Sequence, residues 1–400
     1  MIDVAIVGAG PVGLMTALGL ARAGVAVTVL EAEDDIVYSP RAISYAWPIL
    51  PALEHYGLLD DMLAAGHTID ARCWRIFKTG ETVVYNHDAV RDITARPYNL
   101  TLGQDKLARV VLAHLARHPS AKVTWGTRVS GLMQTADKVV LHGERAGAPV
   151  EIEARWVIAA DGGRSAVRKA AGLSLDGFTW PQRFVATDIY YDFEKHGWMS
   201  GYLVDPVYGA VVYKIDLDGL WRFTYAEDTT LPAETIGERI PAFARAVLPG
   251  DQKFELVQYS GYNMHQRSAP SYRAGRVLLA GDAAHLTNPT SGFGLMGGLY
   301  DAIVLSEALA AVVRGEAPDG VLDRYSEARR KVYDDVTSPV SSESLRMVFH
   351  SGEPERFARD LALLKARKMD PAAMRAFLTV PARLETPSLL TGRRFVDVAA

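Results

Sequence analysis

The sequence predicts an α/β fold: a parallel-stranded domain built on a βαβ unit, an antiparallel β-sheet inserted into it, and helices at the C-terminal end. Three observations predict this. A short β-branched run, Ile2–Val7, leads into Gly8-Ala9-Gly10-Pro11-Val12-Gly13 and then into helix-like and strand-like segments. Two later apolar runs, ending at Ala160 and Ala280, each stop at a turn that holds Asp and Gly. Between those runs the chain alternates apolar and polar residues and is rich in Tyr, Val, Phe and Trp, the pattern of half-buried strands.

The elements follow in order. Ile2–Val7 reads as a buried parallel strand, 14–23 as a helix and 25–30 as a second strand that ends at Glu31. This is a Rossmann-type G-x-G-x-x-G fingerprint in its full context. Gly8 permits the tight turn, Gly10 removes a side chain where pyrophosphate approaches, and Gly13 lets helix and strand pack closely. The N-terminus of the helix that follows offers free N–H groups and a partial positive charge, which suit phosphate. Glu31, 18 residues beyond Gly13, is placed to accept the hydroxyls of an adenosine ribose. The motif implies an ADP-bearing cofactor and leaves NAD and FAD open.

Residues 156–160 read as another buried strand running into Asp161-Gly162-Gly163-Arg164-Ser165. Residues 276–280 read likewise and meet Gly281-Asp282, then the loop Pro289-Thr290-Ser291-Gly292-Phe293-Gly294 and a helix over 295–313. Carboxylates at the carboxyl ends of strands suit polyol hydroxyls, and a glycine-rich loop before a helix offers backbone N–H groups. The inserted sheet is expected at 183–193, 201–204, 210–215 and 220–225, with a hairpin turn at Asp218-Gly219, a helix at 233–247 and a strand at 254–262. Helices are expected at 322–347, 354–368 and 371–378. The domains are drawn as 1–180 with 265–335 (including an excursion at 70–100), an inserted layer at 181–264, and a C-terminal helical segment at 336–400.

Composition narrows the function classes. The chain has 400 residues, 49% hydrophobic and 22% charged, which argues against long disorder. A net charge of −4 gives no basic footprint for nucleic acid. One cysteine, Cys73, excludes an internal disulfide and a cysteine zinc cage, and reads as a small buried residue. No apolar run is expected to reach the ~18 residues that span a bilayer. No basic leader or cleavage site is read at the N-terminus, so a soluble, cytoplasmic protein is expected. His114 and His118 have a metal-ligand spacing but no third ligand in view, so they read as surface residues and no metal is expected. Ser165 reads as a helix cap.

The motifs, in order and at family spacing, resemble those of the single-component FAD-dependent aromatic hydroxylases, the 4-hydroxybenzoate hydroxylase-like flavoprotein monooxygenases. The resemblance covers about residues 2–335. It implies that Gly8, Gly10, Pro11, Val12, Gly13 and Glu31 bind FAD, and that Asp161 and Arg164, in a motif with Ser165 and Arg168, serve FAD and NAD(P)H. It implies that Gly281-Asp282 holds the ribityl chain. Arg41, within Pro40-Arg41-Ala42, and Gln104, which opens a helix with Leu107, resemble family residues that reach the cofactor. Backbone groups of Pro289, Gly292, Gly294 and Leu295 are expected near the flavin. In Gly292-Phe293-Gly294-Leu295-Met296, Phe and Met replace two polar family residues, so only backbone contacts carry over there. The residues after the match are too few for the thioredoxin-like domain that some relatives append.

The implied activity is NAD(P)H-dependent reduction of FAD, then transfer of oxygen to a phenolic or heteroaromatic small molecule through a C4a-hydroperoxyflavin. The protein's tasks are to position, shield and tune the cofactor. The inserted sheet is expected to roof the flavin, with Tyr190, Tyr202, Tyr213 and Trp221 as candidate substrate contacts. Pro289, Tyr213 and His265 are the candidate catalytic residues; His265 and Arg267 either meet a substrate carboxylate or phenolate or simply close the sheet, and the second reading is preferred. NADH or NADPH, oxygen and an aromatic substrate are the expected partners, with no nucleic acid, no membrane span, and a monomer or homodimer. The alternatives are an FAD-dependent reductase or dehydrogenase without oxygen insertion, a halogenase, whose Trp-x-Trp-x-Ile-Pro signature is absent, and a non-catalytic nucleotide-binding scaffold.

Overall fold

Ile2–Val7 is apolar on both faces at its C-terminal end, and it lies inside an eight-stranded sheet. In the computed structural model, which describes residues 1–38, 40–250 and 253–398, this strand pairs in parallel with Val27–Leu30 and with Ala148–Ala159. Val277–Leu279 joins in parallel beside Ala148–Ala159, and Ala121–Thr124 beside Val27–Leu30. Neighbouring parallel strands bring their carboxyl ends to one edge, so the turns after Val7, Ala159 and Leu279 adjoin one another. Helices Pro11–Arg22 and Phe293–Val313 pack together on this sheet, and Gln104–Leu115 packs on the first of them.

Phe293–Val313 departs from expectation. By length and composition it is apolar enough to cross a bilayer, with a mean hydropathy of 1.5 over its most apolar window. That window is 83% buried inside the fold, so the helix serves here as a core element.

The second eight-stranded sheet is antiparallel except at one pairing. Its centre is Asp176–Tyr190 between Glu255–Ser268 and Leu220–Asp228, followed outward by Ala210–Lys214 and Gly201–Val204. The Asp218-Gly219 turn joins two of these strands as a hairpin. Two domain expectations are corrected. The excursion at 70–100 contributes Ala71–Ile76 and Thr82–Asn86 to this second sheet, since Ala71–Ile76 pairs in parallel with Gly201–Val204. Strands Asp176–Tyr190 and Glu255–Ser268 also run across the boundaries drawn at 180/181 and 264/265. A backbone ladder is continuous, so a boundary read from composition fell inside a strand.

Strand parity sorts the second sheet's faces. Val185, Ile189, Trp221 and Phe223 point to one side, where helix Ile236–Val247 covers them. Phe184, Tyr213, Arg222 and Thr224 point to the other, toward the turns of the first sheet. The expected C-terminal helix is three continuous segments: Val321–Val332, a π-helical turn Tyr333–Thr337, and Ser338–Phe349. Helices Pro354–Met369 and Pro371–Thr379 follow, and Leu364, Phe377 and Leu378 pack with Trp74 and Tyr85 of the second sheet. The end of the 336–400 segment, at 399–400, lies outside the described residues.

Candidate active site

The carboxyl edge of the first sheet and the aromatic face of the second enclose one continuous cavity of 1410 Å³. On the first-sheet side it is lined by Gly10, Pro11 and Val12, by Arg41 and Gln104, by Asp161 and Arg164, and by Asp282. Pro289, Gly292, Gly294 and Leu295 line it between the sheets, and Tyr202, Tyr213 and His265 on the far side. Gly8, Gly13, Glu31 and Gly281 stand just behind the lining.

The first glycine turn divides its work. Gly8 has φ +105°, and a Cβ there would lie 2.4 Å from the Ala160 carbonyl oxygen. A Cβ on Gly10 would meet nothing within 4 Å. Gly8 is therefore required by packing, whereas the room at Gly10 opens on the cavity. Helix Pro11–Arg22 starts there with no side-chain cap, leaving N–H groups free at its positive end. Glu31 supports this turn from behind: its carboxylate accepts from the Ala9 N–H at 2.6 Å and the Glu33 N–H at 3.0 Å.

The Asp161 turn is braced by its own neighbouring residues. One Asp161 oxygen accepts from Ser165, and the other accepts the N–H groups of Ala166 (2.8 Å) and Val167 (3.2 Å). The carboxylate is thus tied to the start of helix Ala166–Ala170 while Asp161 lines the cavity. Ser165 caps the same helix, accepting from the Arg168 N–H at 2.9 Å. Buried Arg168 donates to the Gly163 carbonyl (3.0 Å) and the Ala283 carbonyl (2.9 Å), tying the second turn to the third. Arg164 is exposed to the cavity.

Asp282 faces the cavity with no hydrogen-bond donor among the described residues. Desolvation pushes its carboxyl up, while Arg41 and His285 pull it down. Its turn is pinned from beneath by a group the sequence reading missed. Asp301, wholly buried, accepts from the Gly281 N–H (3.0 Å), His285 Nε2 (2.8 Å) and Arg329 Nε (2.6 Å). Burial alone would raise the Asp301 carboxyl, but the charges of His285 and Arg329 and their hydrogen bonds win, holding it at about 2. Arg329 also donates to the Leu384 and Gly297 carbonyls, at 2.7 and 3.0 Å. A lone aspartate mid-way along an apolar helix was the available signal.

The loop before Phe293–Val313 is a short 3-10 turn, Pro289–Ser291, capped by Asn288 accepting from the Thr290 N–H at 3.2 Å. Gly292 follows with φ +74°. Tyr202 Oη donates to the Thr290 carbonyl at 2.8 Å, so the second sheet latches this loop directly.

Two expected substrate contacts are corrected. Trp221 alternates with Arg222, so it points into the opposite core beside Phe193 and is 2% exposed. Tyr190 lies at the end of its strand, 39% exposed and outside the cavity. Tyr213 lines the cavity, within 3.4 Å of Arg72 Nη1. His265 also lines it, but its Nδ1 pairs with Thr179 Oγ1 across the strands at 2.9 Å. Arg267 reaches the same hydroxyl, so both close the sheet. Of the surface histidines, His114 meets Asp61 at 2.6 Å. Cys73 is buried, and burial pushes its thiol up to about 11.

Sequence reading also missed Asp188 and Arg222, paired through two 2.7 Å hydrogen bonds. Arg222 reaches on to the Arg41 carbonyl, so this pair anchors the Arg41 loop to the second sheet. Their partnership depends on register, which places Asp188 opposite Arg222.

The room at Gly10, the open N–H groups and the free Asp282 carboxylate fit a dinucleotide with phosphates and a polyol chain. The aromatic side of the cavity fits a flat second ligand. A protein class follows: a nucleotide-cofactor enzyme acting on an aromatic compound. Residues 1–339 match the model of the family described as FAD binding domain. The chain is 41% identical over 387 residues to 6-hydroxy-3-succinoylpyridine 3-monooxygenase of Pseudomonas putida, covering 96% of this chain and 98% of that one. It is 40% identical to para-nitrophenol 4-monooxygenase of a Pseudomonas species, covering 98% and 97%. The crystal structure of p-nitrophenol 4-monooxygenase from Pseudomonas putida superposes with a TM-score of 0.93 at 38% identity, covering 98% of this chain and 99% of that one. The chain belongs to the family of FAD-dependent aromatic hydroxylases, and it is an FAD-dependent aromatic monooxygenase.

Proposed function

We propose that the protein uses NADH or NADPH and oxygen to hydroxylate a small phenol or hydroxylated heteroaromatic. The observation that carries this reading is the continuity of the cavity: the side that fits FAD opens without a wall onto the aromatic side. When bound, FAD would supply the redox chemistry, accepting electrons from the nicotinamide and activating oxygen. In both relatives' names the oxygenated position is para to the ring hydroxyl. We assign the same position here.

The chain's own groups then have defined tasks. Gly10, Pro11, Val12 and the helix N-terminus bind the pyrophosphate; Gly8, Gly13 and Gly281 shape the turns; Glu31 meets the adenosine ribose at the back of its turn. Asp282 accepts the ribityl hydroxyls, with Arg41 and Gln104 beside it. Arg164, open to the cavity, meets the nicotinamide cofactor. Pro289, Gly292 and the N–H groups of Gly294 and Leu295 border the reacting ring and exclude water. Tyr202 holds that loop, and Tyr213 borders the substrate.

The test is NADH and NADPH oxidation by FAD-loaded protein with oxygen uptake, in the presence of para-nitrophenol and of 6-hydroxy-3-succinoylpyridine. Stimulated oxidation with matching oxygen uptake and a hydroxylated product supports the reading. Oxidation without oxygen incorporated into any product would favour the reductase alternative.

A further inference from the structure

At the aromatic end of the cavity, remote in sequence from all three glycine turns, stands a cluster the sequence reading did not single out. Arg72 lies on Ala71–Ile76, directly opposite Tyr85 on Thr82–Asn86, with its guanidinium 5.2 Å from the centre of that ring. It lines the cavity and forms no ion pair among the described residues. Its protein contacts are the Tyr85 face and the Tyr213 hydroxyl at 3.4 Å. Its Nε is buried and donates to nothing. A guanidinium stays protonated at any working pH, so this is a permanent positive charge among aromatic rings with no counter-charge.

Trp74 Nε1 and Asn99 Nδ2 are buried, and both residues line the cavity; Trp74 lies beside Tyr85 and Asn99 beside His87, without a well-formed hydrogen bond. Asn99 cannot turn its amide round freely, because its Oδ1 accepts from the Trp47 N–H at 3.3 Å. His87 adds no positive charge. Burial, with Arg72 close by, pushes it down to about 4, and its Nδ1 lies 2.9 Å from the Asp70 carbonyl. A carbonyl only accepts, so the single proton sits on Nδ1. The cluster therefore presents a charged donor, Arg72 Nε, with no partner, flanked by the Trp74 and Asn99 N–H groups, whose polar neighbours are Tyr85 and His87. A buried guanidinium nitrogen without a partner is costly, and a cavity-lining cation with N–H groups beside it suits an oxygen anion.

We propose that Arg72, with Trp74 and Asn99, is the receptor for an oxyanion carried by the aromatic substrate, a ring phenolate or a carboxylate substituent. This rests on the aromatic-monooxygenase reading and deepens it: the enzyme selects anionic rings over neutral ones of the same shape. Arg72 thereby acts as a specificity-determining residue. A phenolate held there is also the more electron-rich ring for oxygen transfer.

The experiment is equilibrium dialysis with oxidised, FAD-loaded enzyme in mildly alkaline buffer, without any nicotinamide. One arm compares para-nitrophenolate with para-nitroanisole, its methyl-capped neutral form. The other compares para-nitrobenzoate with its methyl ester. The wild type is expected to bind the anion at least ~10-fold more tightly than the neutral partner in one arm, about 1.4 kcal/mol. The arm that shows the preference identifies the oxyanion. Arg72→Met is expected to bring that ratio near one while leaving the neutral ligand's Kd within ~2-fold, and Arg72→Lys to keep part of it. FAD content reports on folding. If Arg72→Met fails to hold FAD, Trp74→Phe replaces it, with a loss of a few fold confined to the anion. A wild-type ratio near one in both arms, or a variant that weakens anion and neutral ligand equally, overturns the proposal. Because no turnover is involved, it stands or falls separately from the hydroxylation assay.

Discussion

Replacing Asp301 by Asn tests whether the Gly281-Asp282 turn depends on the buried charge beneath it. Asp301→Asn keeps the size of the side chain and one carbonyl acceptor but removes the negative charge. It leaves the buried Arg329 guanidinium without its counter-charge, and depending on which way the amide points either Arg329 Nε or both the Gly281 N–H and His285 Nε2 lose their acceptor. Breaking a buried pair from one side costs about 3–5 kcal/mol, mostly from the charge left behind. A second, smaller estimate comes from titration. The carboxyl is held near 2 against an ordinary 3.8, which corresponds to a pH-dependent stabilisation of about 2 kcal/mol. A depressed carboxylate stabilises above its unfolded pKa, and that contribution is lost as pH falls toward the folded value. The stability gap between wild type and Asp301→Asn should therefore be full at neutral pH and narrow between 3.8 and about 2. Urea denaturation followed by far-UV circular dichroism, at neutral pH and near pH 3, measures both. FAD should also be retained less well, since the turn carrying Asp282 loses its lower support. A variant within ~0.5 kcal/mol of wild type, the range of ordinary surface substitutions, would refute the reasoning.

Three further outcomes are expected. Asp282→Ala should fold but weaken FAD binding by ~10–150-fold, the value of a hydrogen bond to a charged group of about 1.5–3 kcal/mol. Titration of apoprotein with FAD reads this, and full flavin content on purification would remove Asp282 from the site. Gly10→Val and Gly8→Ala should separate binding from folding. The first has room for its side chain and should keep the apoprotein's melting temperature while losing FAD; the second collides with the Ala160 carbonyl and should lose soluble yield. Equal behaviour of the two would contradict the division of labour in that turn. Tyr202→Phe removes the hydrogen bond to the Thr290 carbonyl, worth about 0.5–1.5 kcal/mol. It should raise the fraction of NAD(P)H oxidised to hydrogen peroxide rather than product, and an unchanged peroxide yield would show that the latch is dispensable.

Much of the cofactor side was legible in the sequence because it depends on local backbone chemistry. Strand, glycine turn and helix are contiguous, so Gly8, Gly10 and Gly13 announce both the turn and the space it leaves. Asp161 shows the limit of such reading. Its motif places the carboxylate at the right strand end, but does not show that a serine and two N–H groups within six residues fix its orientation there. On the aromatic side, Tyr202 and Tyr213 share a face with the cavity and Trp221 does not. Composition marks all three alike, and only the register of the sheet separates them.

The sequence by itself determined the parallel βαβ domain, the inserted antiparallel sheet, the three strand-end turns and the dinucleotide chemistry they suit. These follow from short-range rules: hydrophobic period, glycine conformational freedom and helix-terminus polarity. The tertiary structure alone decided which distant charges meet. It set Asp301 between His285 and Arg329, Asp188 on Arg222, and Arg72 unpaired among aromatic rings. It also moved the excursion at 70–100 into the second sheet and laid the last helices over the aromatic cavity. The physical reason is range. Backbone propensities act over a few residues, whereas burial makes an ion pair or an orphaned charge matter only once strands far apart in the chain are brought side by side.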